Sequence, residues 1–281
     1  MEKLLHIIEI SKERKIDTII QVGDFFHSPT PALGLIAKTI NVLKTTTAKW
    51  YVIHGQHDLL NHASAAQYKS ALSVLESAVS RFIVLRGGSL CGEARGLTIG
   101  SAPFGVEPPD MPELSGTTIL VAHVMVGDKP LWPGHDLTGP EAYVKKHPGF
   151  DLYAIGDYHF PFSVKVGDAW VINAGCVLRM TADERDRTRR PKVVLFDTET
   201  GPEDIYLDVT PEAEAFDMDG YEVDKAAAAR QASFAEMAAS LSGTVSLGGT
   251  LKESLRKMFE EEKIPQAVCD KVWSLWDTTG I

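Results

Sequence analysis

The sequence predicts an α/β fold with a metal centre on one rim of a sheet, and two observations lead to this prediction. Four short apolar runs end in glycine, aspartate, glutamine or histidine, at residues 19–24, 51–58, 119–123 and 152–159. Segments with helical periodicity lie between the first three of these runs, as expected for βαβ units. Strand ends that carry oxygen and imidazole ligands but no cysteine favour a hard or borderline divalent cation such as manganese, iron or zinc.

Composition limits the classes of protein to which the chain can belong. Its 281 residues provide enough apolar content for a buried core, and no stretch approaches the roughly 20 apolar residues of a membrane span. We expect a cytoplasmic protein without membrane attachment. A net charge of -10 argues against coating nucleic acid by bulk attraction, although a local basic patch or bound cations could still receive phosphates. The three widely spaced cysteines suggest neither a disulfide framework nor a zinc knuckle.

The first half of the chain is predicted to alternate between helices and strands. The segments are a helix at 4–14, a strand at 18–22, a proline-containing loop at 25–31, a helix at 33–44, a strand at 50–53 and a helix at 63–80. A helix that precedes a buried strand normally packs on a sheet already begun. Three explanations stay open: the preceding strand is absent from this polypeptide, another chain supplies it, or the sheet is atypical.

The second half is predicted to contain more strands and then a helical region. Short strands are expected at 83–85 and 97–99, and longer ones end at His123 and at residue 155. Residues 124–150 form a long connection of the kind that often binds ligands or acts as a lid. An antiparallel meander is predicted at 163–166, 170–173, 192–196 and 204–207. The alanine-rich remainder predicts helices near 225–240, 251–262 and 265–276, so we divide the chain into domains 1–208 and 209–281.

Four blocks in this order resemble the calcineurin-like metallophosphoesterases. They are Gly23-Asp24, Gly55-Gln56-His57-Asp58, His123 and Gly156-Asp157-Tyr158-His159. Within that family the sequence resembles the nuclease subunit of SbcCD-type double-strand-break-repair complexes, including phage versions. The features that carry this resemblance are the proline-containing loop after Gly-Asp-Phe-Phe, and residues 173–179 followed by 190–194. The resemblance covers residues 1–208.

The resemblance implies a fold and a set of site residues. The fold is a four-layer α/β sandwich, two mixed β-sheets flanked by helices, with a small C-terminal helical appendage. The site holds two divalent ions, with manganese expected and magnesium, iron and zinc as alternatives. Asp24 bridges the ions, Gln56, His123 and Asp157 surround one, and His159 binds the other. His57 is the catalytic imidazole, Asp58 holds its ring, and the expected substrate-binding residues are His54 and Arg179.

Three features depart from the family pattern. The family opens with Asp-x-His on a first strand, and no such block precedes the first helix here. The ion served by His159 then has only Asp24 and His159, unless a preceding segment or a neighbouring chain completes its ligands. Gln56 replaces asparagine, and Asp157 replaces histidine. The added carboxylate makes the site harder and favours manganese or magnesium over zinc, and the two changes are expected to compensate each other in reach and charge.

The predicted activity is metal-dependent phosphodiester hydrolysis by a DNA exo- or endonuclease in repair or recombination. The resemblance implies two partners, DNA and an SMC-like ATPase bound through the C-terminal helices. Packing of these helices on their own domain stays open, as does a homodimer. Two alternatives remain: a degenerate phosphoesterase fold that acts as a non-catalytic binding or scaffold subunit, and a phosphoesterase for small substrates. The arginines of residues 185–190 alternate with acids and predict a solvated loop. Five histidines are interpreted as surface or structural residues: His6, His27, His62, His135 and His147.

Overall fold

A computed structural model describes most of the chain. The described residues are 1–88, 90–93, 96–111, 116–131, 134–222, 225, 256–257, 259–260 and 264–279. The chain divides into two compact units, Met1–Ala215 and Phe216–Ile281. The first unit contains all the strands found among the described residues, and it is the unit that carries the candidate site.

The first sheet contains three parallel strands in the order β1-β2-β3. These strands are β1 (Thr18–Gln21), β2 (Lys49–Val52) and β3 (Phe82–Val84). Three helices accompany them, α1 (Glu2–Glu13), α2 (Leu33–Leu43) and α3 (Ala71–Ala78). Parallel strands need long crossover connections, and α2 and α3 lie within those connections.

The predicted continuous helix at residues 63–80 was wrong. Only α3 is an α-helix there, and it is preceded by 3₁₀ turns at Gln56–Asp58, Leu60–His62 and Ser64–Lys69. The backbone of Ser70 is extended, with φ of -95° and ψ of 161°, so the helix cannot continue through it. The Ser70 hydroxyl group donates to the carbonyl of Gln67 and bonds the ring of His54, which fixes the break.

The second sheet contains six strands in the order β4-β5-β6-β7-β9-β8, and it is mixed. Parallel pairing joins β5, β6, β7 and β9, while β4 and β8 are antiparallel at the two edges. Helix α4 (Pro140–Lys146) lies within the long connection 124–150, for which no helix was predicted. The strands are β4 (Leu90–Glu93), β5 (Leu97–Ala102), β6 (Thr117–Val124), β7 (Leu152–Asp157), β8 (Phe162–Val166) and β9 (Ala169–Asn173).

The first unit has four layers: helices α1 to α3, the first sheet, the second sheet and the layer that contains α4. Three apolar cores lie between these layers, because alternate side chains of each strand point to opposite faces of its sheet. Trp50 and Val52 of β2 pack with α1, α2 and α3, whereas Tyr51 and Ile53 contact the second sheet. In β6, Leu120 and Ala122 face the outer core that includes Tyr143 of α4, while Ile119 and Val121 face the first sheet. The predicted sandwich of two sheets flanked by helices is therefore confirmed, with the first sheet entirely parallel.

The predicted four-strand meander occurs as two separate hairpins. β8 and β9 pair antiparallel and join the second sheet through β9 and β7. Strands β10 (Lys192–Asp197) and β11 (Gly201–Tyr206) form their own two-stranded sheet. This second hairpin packs Val194 and Phe196 into the core between the large sheets. Two one-turn helices flank it, α5 (Glu184–Arg187) and α6 (Glu212–Ala215).

The described part of the second unit contains helix α7 (Gln266–Thr279), close to the predicted helix at 265–276. The predicted helices near 225–240 and 251–262 lie almost entirely outside the described residues. Among the described residues, no helix combines the length and apolar character that crossing a membrane requires.

Candidate metal centre

The candidate metal centre lies where strands of both sheets end. Asp24 follows β1, Gln56 follows β2, His123 lies near the end of β6, and Asp157 is the last residue of β7. The carboxyl ends of parallel strands meet at one edge of a sheet, and ligands of α/β proteins commonly bind there. In the second sheet, the register places His123 opposite Gly156. The structure therefore brings together four of the five predicted metal ligands.

His123 is the central side chain of this group and is buried. Its Nδ1 lies 2.6 Å from the backbone carbonyl of Val22, to which it donates when Nδ1 carries the proton. A ring held in this way directs Nε2 towards the site, as metal-binding histidines do. The Nε2 atom lies 2.6 Å from Gln56 Oε1, 3.5 Å from Asp24 Oδ2 and 3.9 Å from Asp157 Oδ1.

Gln56 and Asp157, the two ligands that differ from the family pattern, contact each other. The Gln56 Nε2 group donates to Asp157 Oδ1 at 2.9 Å. This bond directs the other atom of the amide, Oε1, towards His123. The expected compensation in reach and charge stays a prediction, but the contact supplies a physical route for it.

Asp24 has a left-handed backbone, with φ of 53°. Its Oδ1 accepts a hydrogen bond from the backbone N–H of His57 at 2.8 Å, while Oδ2 faces His123. Burial alone would raise the pKa of Asp24, but the hydrogen bond and charge of His123 outweigh burial and lower that pKa. Burial alone would lower the pKa of His123, but Asp24 reverses this and raises it. Both shifts have the same cause, which is the contact between the Asp24 carboxylate and the His123 ring.

The donor set fits one divalent cation. It contains two carboxylates, one amide oxygen and one imidazole nitrogen, which suit manganese or magnesium better than a thiolate-binding metal. Within the described part of the chain, however, no group of three or more His, Cys, Asp or Glu side chains is arranged to hold a metal ion. An ion held at this position would therefore need a ligand of another kind, and among the four side chains that ligand would be the Gln56 amide oxygen.

His159, the expected ligand of a second ion, is not brought to this group. Its side chain is exposed, and its backbone carbonyl accepts a hydrogen bond from the N–H of Cys176 at 3.0 Å. Among the described residues, its ring makes no hydrogen bond or ion pair with any of the other four ligands. The described residues thus bring together candidate ligands for one ion of the expected pair, and the ligand role of all five residues stays a prediction.

The ring of His57 lies in a cluster of histidines beside the candidate ligands. It stacks on the ring of His27, with centroids 4.9 Å apart and an interplanar angle of 25°. The ring of His62 lies edge-on at 6.2 Å, and its Nδ1 is 2.9 Å from the backbone carbonyl of Gln56. His27 and His62 were interpreted as surface or structural residues. The position of His27 three residues after Asp24 was the available signal in the sequence.

Asp58 does not hold the ring of His57, contrary to the expectation. Its buried carboxylate accepts three backbone hydrogen bonds, from Phe25 at 3.2 Å, Phe26 at 3.1 Å and Gly55 at 3.0 Å. Leaving backbone N–H groups unpaired in a buried loop costs free energy. The Asp58 carboxylate therefore bonds these N–H groups and not the imidazole of His57. Burial raises the pKa of Asp58 to about 6, although these hydrogen bonds act in the opposite direction. Asp58 thus fixes the loop after Asp24.

The two expected substrate-binding residues, His54 and Arg179, both bond other parts of the protein. His54 is fully buried, and its Nε2 bonds Ser70 Oγ at 2.9 Å. Burial, assisted by the charge of Arg86, lowers the pKa of His54 to about 4. The Arg179 guanidinium donates to the backbone carbonyls of Arg187 and Thr210. These protein partners account for the positions of both side chains, and a substrate-binding role for either stays a prediction.

The prediction that the arginines of residues 185–190 lie in a solvated loop was wrong for Arg189. Its guanidinium is nearly buried, pairs with Asp186 at 2.9 Å and donates to the carbonyl of Cys176 at 2.5 Å. Asp186 in turn accepts bonds from the backbone N–H groups of Met180 and Thr181. Because backbone groups of the 176–181 segment need partners, these two charged side chains are internal.

A glycine at position 156 allows the two sheets to approach each other at the site. A Cβ atom there would lie 2.2 Å from the backbone carbonyl oxygen of Val22 and 3.1 Å from His123 Nδ1. This carbonyl is the group that orients the imidazole. The absence of a side chain at Gly156 is therefore a condition for the geometry of His123.

Comparison with known proteins identifies the family. The family model of the calcineurin-like phosphoesterases matches residues 1–161 of the 281-residue chain. The chain belongs to this family. Calcineurin-like phosphoesterases are hydrolases that use divalent metals, and the matched segment includes all five predicted metal ligands.

One curated relative and several solved structures are similar. The DNA double-strand break repair protein Mre11 of Methanosarcina mazei is 25% identical over an alignment of 194 residues that covers 64% of this chain. The chain spans 30% of the length of that relative. The protein TT1561 of Thermus thermophilus has a TM-score of 0.44 at 13% identity, covering 62% of this chain and 83% of that one. A novel archaeal phosphodiesterase has a TM-score of 0.43 at 17% identity, covering 73% and 92%.

Proposed function

We propose that the chain catalyses metal-dependent hydrolysis of phosphodiester bonds in DNA, in repair or recombination. The observation that carries this proposal is the convergence of Asp24, Gln56, His123 and Asp157 from two sheets at a single edge. A buried imidazole with its Nδ1 held by a backbone carbonyl, beside two carboxylates, is an arrangement typical of metal ligands. Manganese is the proposed ion.

The ion would be held by Asp24, Gln56, His123 and Asp157. When bound, a divalent cation supplies Lewis-acid stabilisation of phosphoryl oxygens and lowers the pKa of bound water. The protein residues then orient the reacting groups. The backbone N–H of His57 donates a hydrogen bond to Asp24, which places His57 beside the candidate ligands. Its ring is proposed to give a proton to the leaving oxygen. The stacked ring of His27 limits the positions that the His57 ring can adopt.

DNA as the substrate is supported by the similarity to a relative whose name places it in double-strand break repair. That relative is much longer than the matched segment, so its partners are carried over here only as proposals. We propose that the region after residue 208 binds an ATPase of the SMC-like class.

A second candidate function is non-catalytic binding, and the position of His159 favours it. This ring is exposed, and among the described residues no ion pair joins it to Asp24. A site with ligands for one ion can bind phosphate without cleaving it efficiently, because the two-ion arrangement stabilises both the attacking and the leaving oxygen.

The decisive experiment measures cleavage of linear duplex DNA and of bis-p-nitrophenyl phosphate with manganese and with EDTA. We expect DNA cleavage that requires manganese. Asp24→Asn should reduce it by at least about 100-fold, since even residues that only support metal ligands cost about 10–100-fold. Asp168→Asn provides the matched control, because Asp168 lies exposed in the turn between β8 and β9.

The other outcomes identify the alternatives. Hydrolysis of bis-p-nitrophenyl phosphate without DNA cleavage would assign the chain to small phosphodiesters. Failure to cleave either substrate, in a folded protein, would contradict the catalytic proposal and favour the binding subunit.

A further inference from the structure

The side chain of Gln21, the last residue of β1, binds both backbone groups of Gly23. Its Nε2 donates to the Gly23 carbonyl at 2.6 Å, and the Gly23 N–H donates to Gln21 Oε1 at 3.0 Å. Two such bonds to one residue are what a neighbouring antiparallel strand would supply. The amide of Gln21 therefore fixes the chain immediately before Asp24.

This segment has a backbone conformation that needs outside support. Gly23 has φ of +95° and Asp24 has φ of +53°, so two consecutive residues lie in the left-handed region. For a residue with a side chain this region is unfavourable, and it persists only where surrounding contacts determine it. A Cβ at position 23 would lie 2.2 Å from His123 Nδ1, so the Gly23 backbone is also in close contact with that imidazole.

The supports of this turn lie on both sides of Asp24. On the preceding side they are the two bonds from Gln21. On the following side Asp58 binds the N–H groups of Phe25 and Phe26. Between them the Asp24 carboxylate accepts the bond from the His57 N–H and faces His123. A displacement at Gly23 would therefore move both a ligand carboxylate and the backbone against which the His123 ring packs.

We propose that Gln21 is a positioning residue of the metal centre, acting through Gly23 on Asp24 and His123. The inference rests on the proposed function, because it assumes that Asp24 and His123 bind a cation. Gln21 itself lies outside the ligand set. Removal of supporting hydrogen bonds of this kind typically weakens metal binding by about 10–100-fold.

The test compares Gln21→Met with wild type, because methionine keeps the length of the side chain and removes both hydrogen bonds. Manganese alone is titrated into the full chain and followed by calorimetry or by the electron paramagnetic resonance of the free ion. Thermal unfolding in EDTA reports separately on folding. Thr18→Val is the matched control, since it removes one exposed side-chain bond, to Asp17, from the same strand.

We expect Gln21→Met to raise the manganese dissociation constant about 10–100-fold. We also expect it to lower the unfolding temperature in EDTA more than Thr18→Val does, because two part-buried bonds are lost instead of one exposed bond. Unchanged manganese affinity in a folded Gln21→Met protein would overturn the inference, whatever its unfolding temperature. If that variant does not fold, Gln21→Asn decides the question. Its shorter amide can keep only one of the two bonds, so an intermediate affinity is expected and a wild-type affinity would overturn the inference.

Failure of the inference and failure of the proposed function give different results. Wild-type protein that binds no manganese would contradict the proposed function itself. Wild-type protein that binds manganese, together with a Gln21→Met variant that binds it equally well, would contradict only the role of Gln21.

Discussion

The substitution Gly156→Ala tests the close approach of the two sheets at the candidate metal centre. The added Cβ would lie 2.2 Å from the Val22 carbonyl oxygen, and Cβ atoms in proteins essentially never approach closer than 3.0 Å. The two strands must therefore separate by at least 0.8 Å, the difference between these distances. Overpacking of this kind costs about 1–3 kcal/mol. Loss of the bond between His123 Nδ1 and the Val22 carbonyl adds about 1–3 kcal/mol.

We therefore expect Gly156→Ala to lower the free energy of unfolding by about 2–6 kcal/mol, as the sum of these two costs. Urea unfolding measures this loss, and a manganese titration measures the accompanying loss of metal affinity. Gly34→Ala is the control, because no atom lies within 4 Å of its new Cβ in helix α2. It should be neutral or stabilise by up to about 1 kcal/mol. A stable Gly156→Ala protein with wild-type manganese affinity would refute the reasoning.

Two further predictions concern the ion and the loop that contains Asp186. Manganese at 100 times its dissociation constant should stabilise the wild type by about 2.7 kcal/mol, and EDTA should remove this gain. Thermal unfolding measures it, and an equal gain in Asp24→Asn would contradict the assignment. Asp186→Asn should cost about 2–4 kcal/mol at pH 7, because a nearly buried ion pair and charged hydrogen bonds are lost. Burial alone would raise the pKa of Asp186, but these bonds outweigh it and lower the pKa. The stabilisation is thus present above the ordinary aspartate value and lost as pH falls through the lowered one. Urea unfolding should show a smaller difference at pH 3 than at pH 7, and a constant difference would contradict this account.

The sequence was sufficient to predict which strand ends meet. Asp24, His123 and Asp157 each end an apolar run, and carboxyl ends of parallel strands share an edge. The alternation of apolar side chains along β2 and β6 then determines that two sheets stack face to face.

The sequence did not show which hydrogen-bond partner each polar side chain would have. Asp58 was expected beside the ring of His57, but three backbone N–H groups of the loop compete for its carboxylate. Which backbone N–H groups need a hydrogen-bond partner can be determined only when the path of the loop is known. Likewise, Asp157 has φ of 90°, and the chain beyond it leaves His159 exposed. The stacking of His27 on His57 equally depends on the folded loop.

The near contact of two backbones at Gly156 has a consequence for protein engineering. A side chain added at position 156 would displace a strand, so an extra metal ligand cannot be introduced at that position. A designer who wants another metal preference must exchange side chains already present, such as Gln56 or Asp157. The chemistry of the centre can be altered through those side chains, whereas position 156 itself has no space for an added atom.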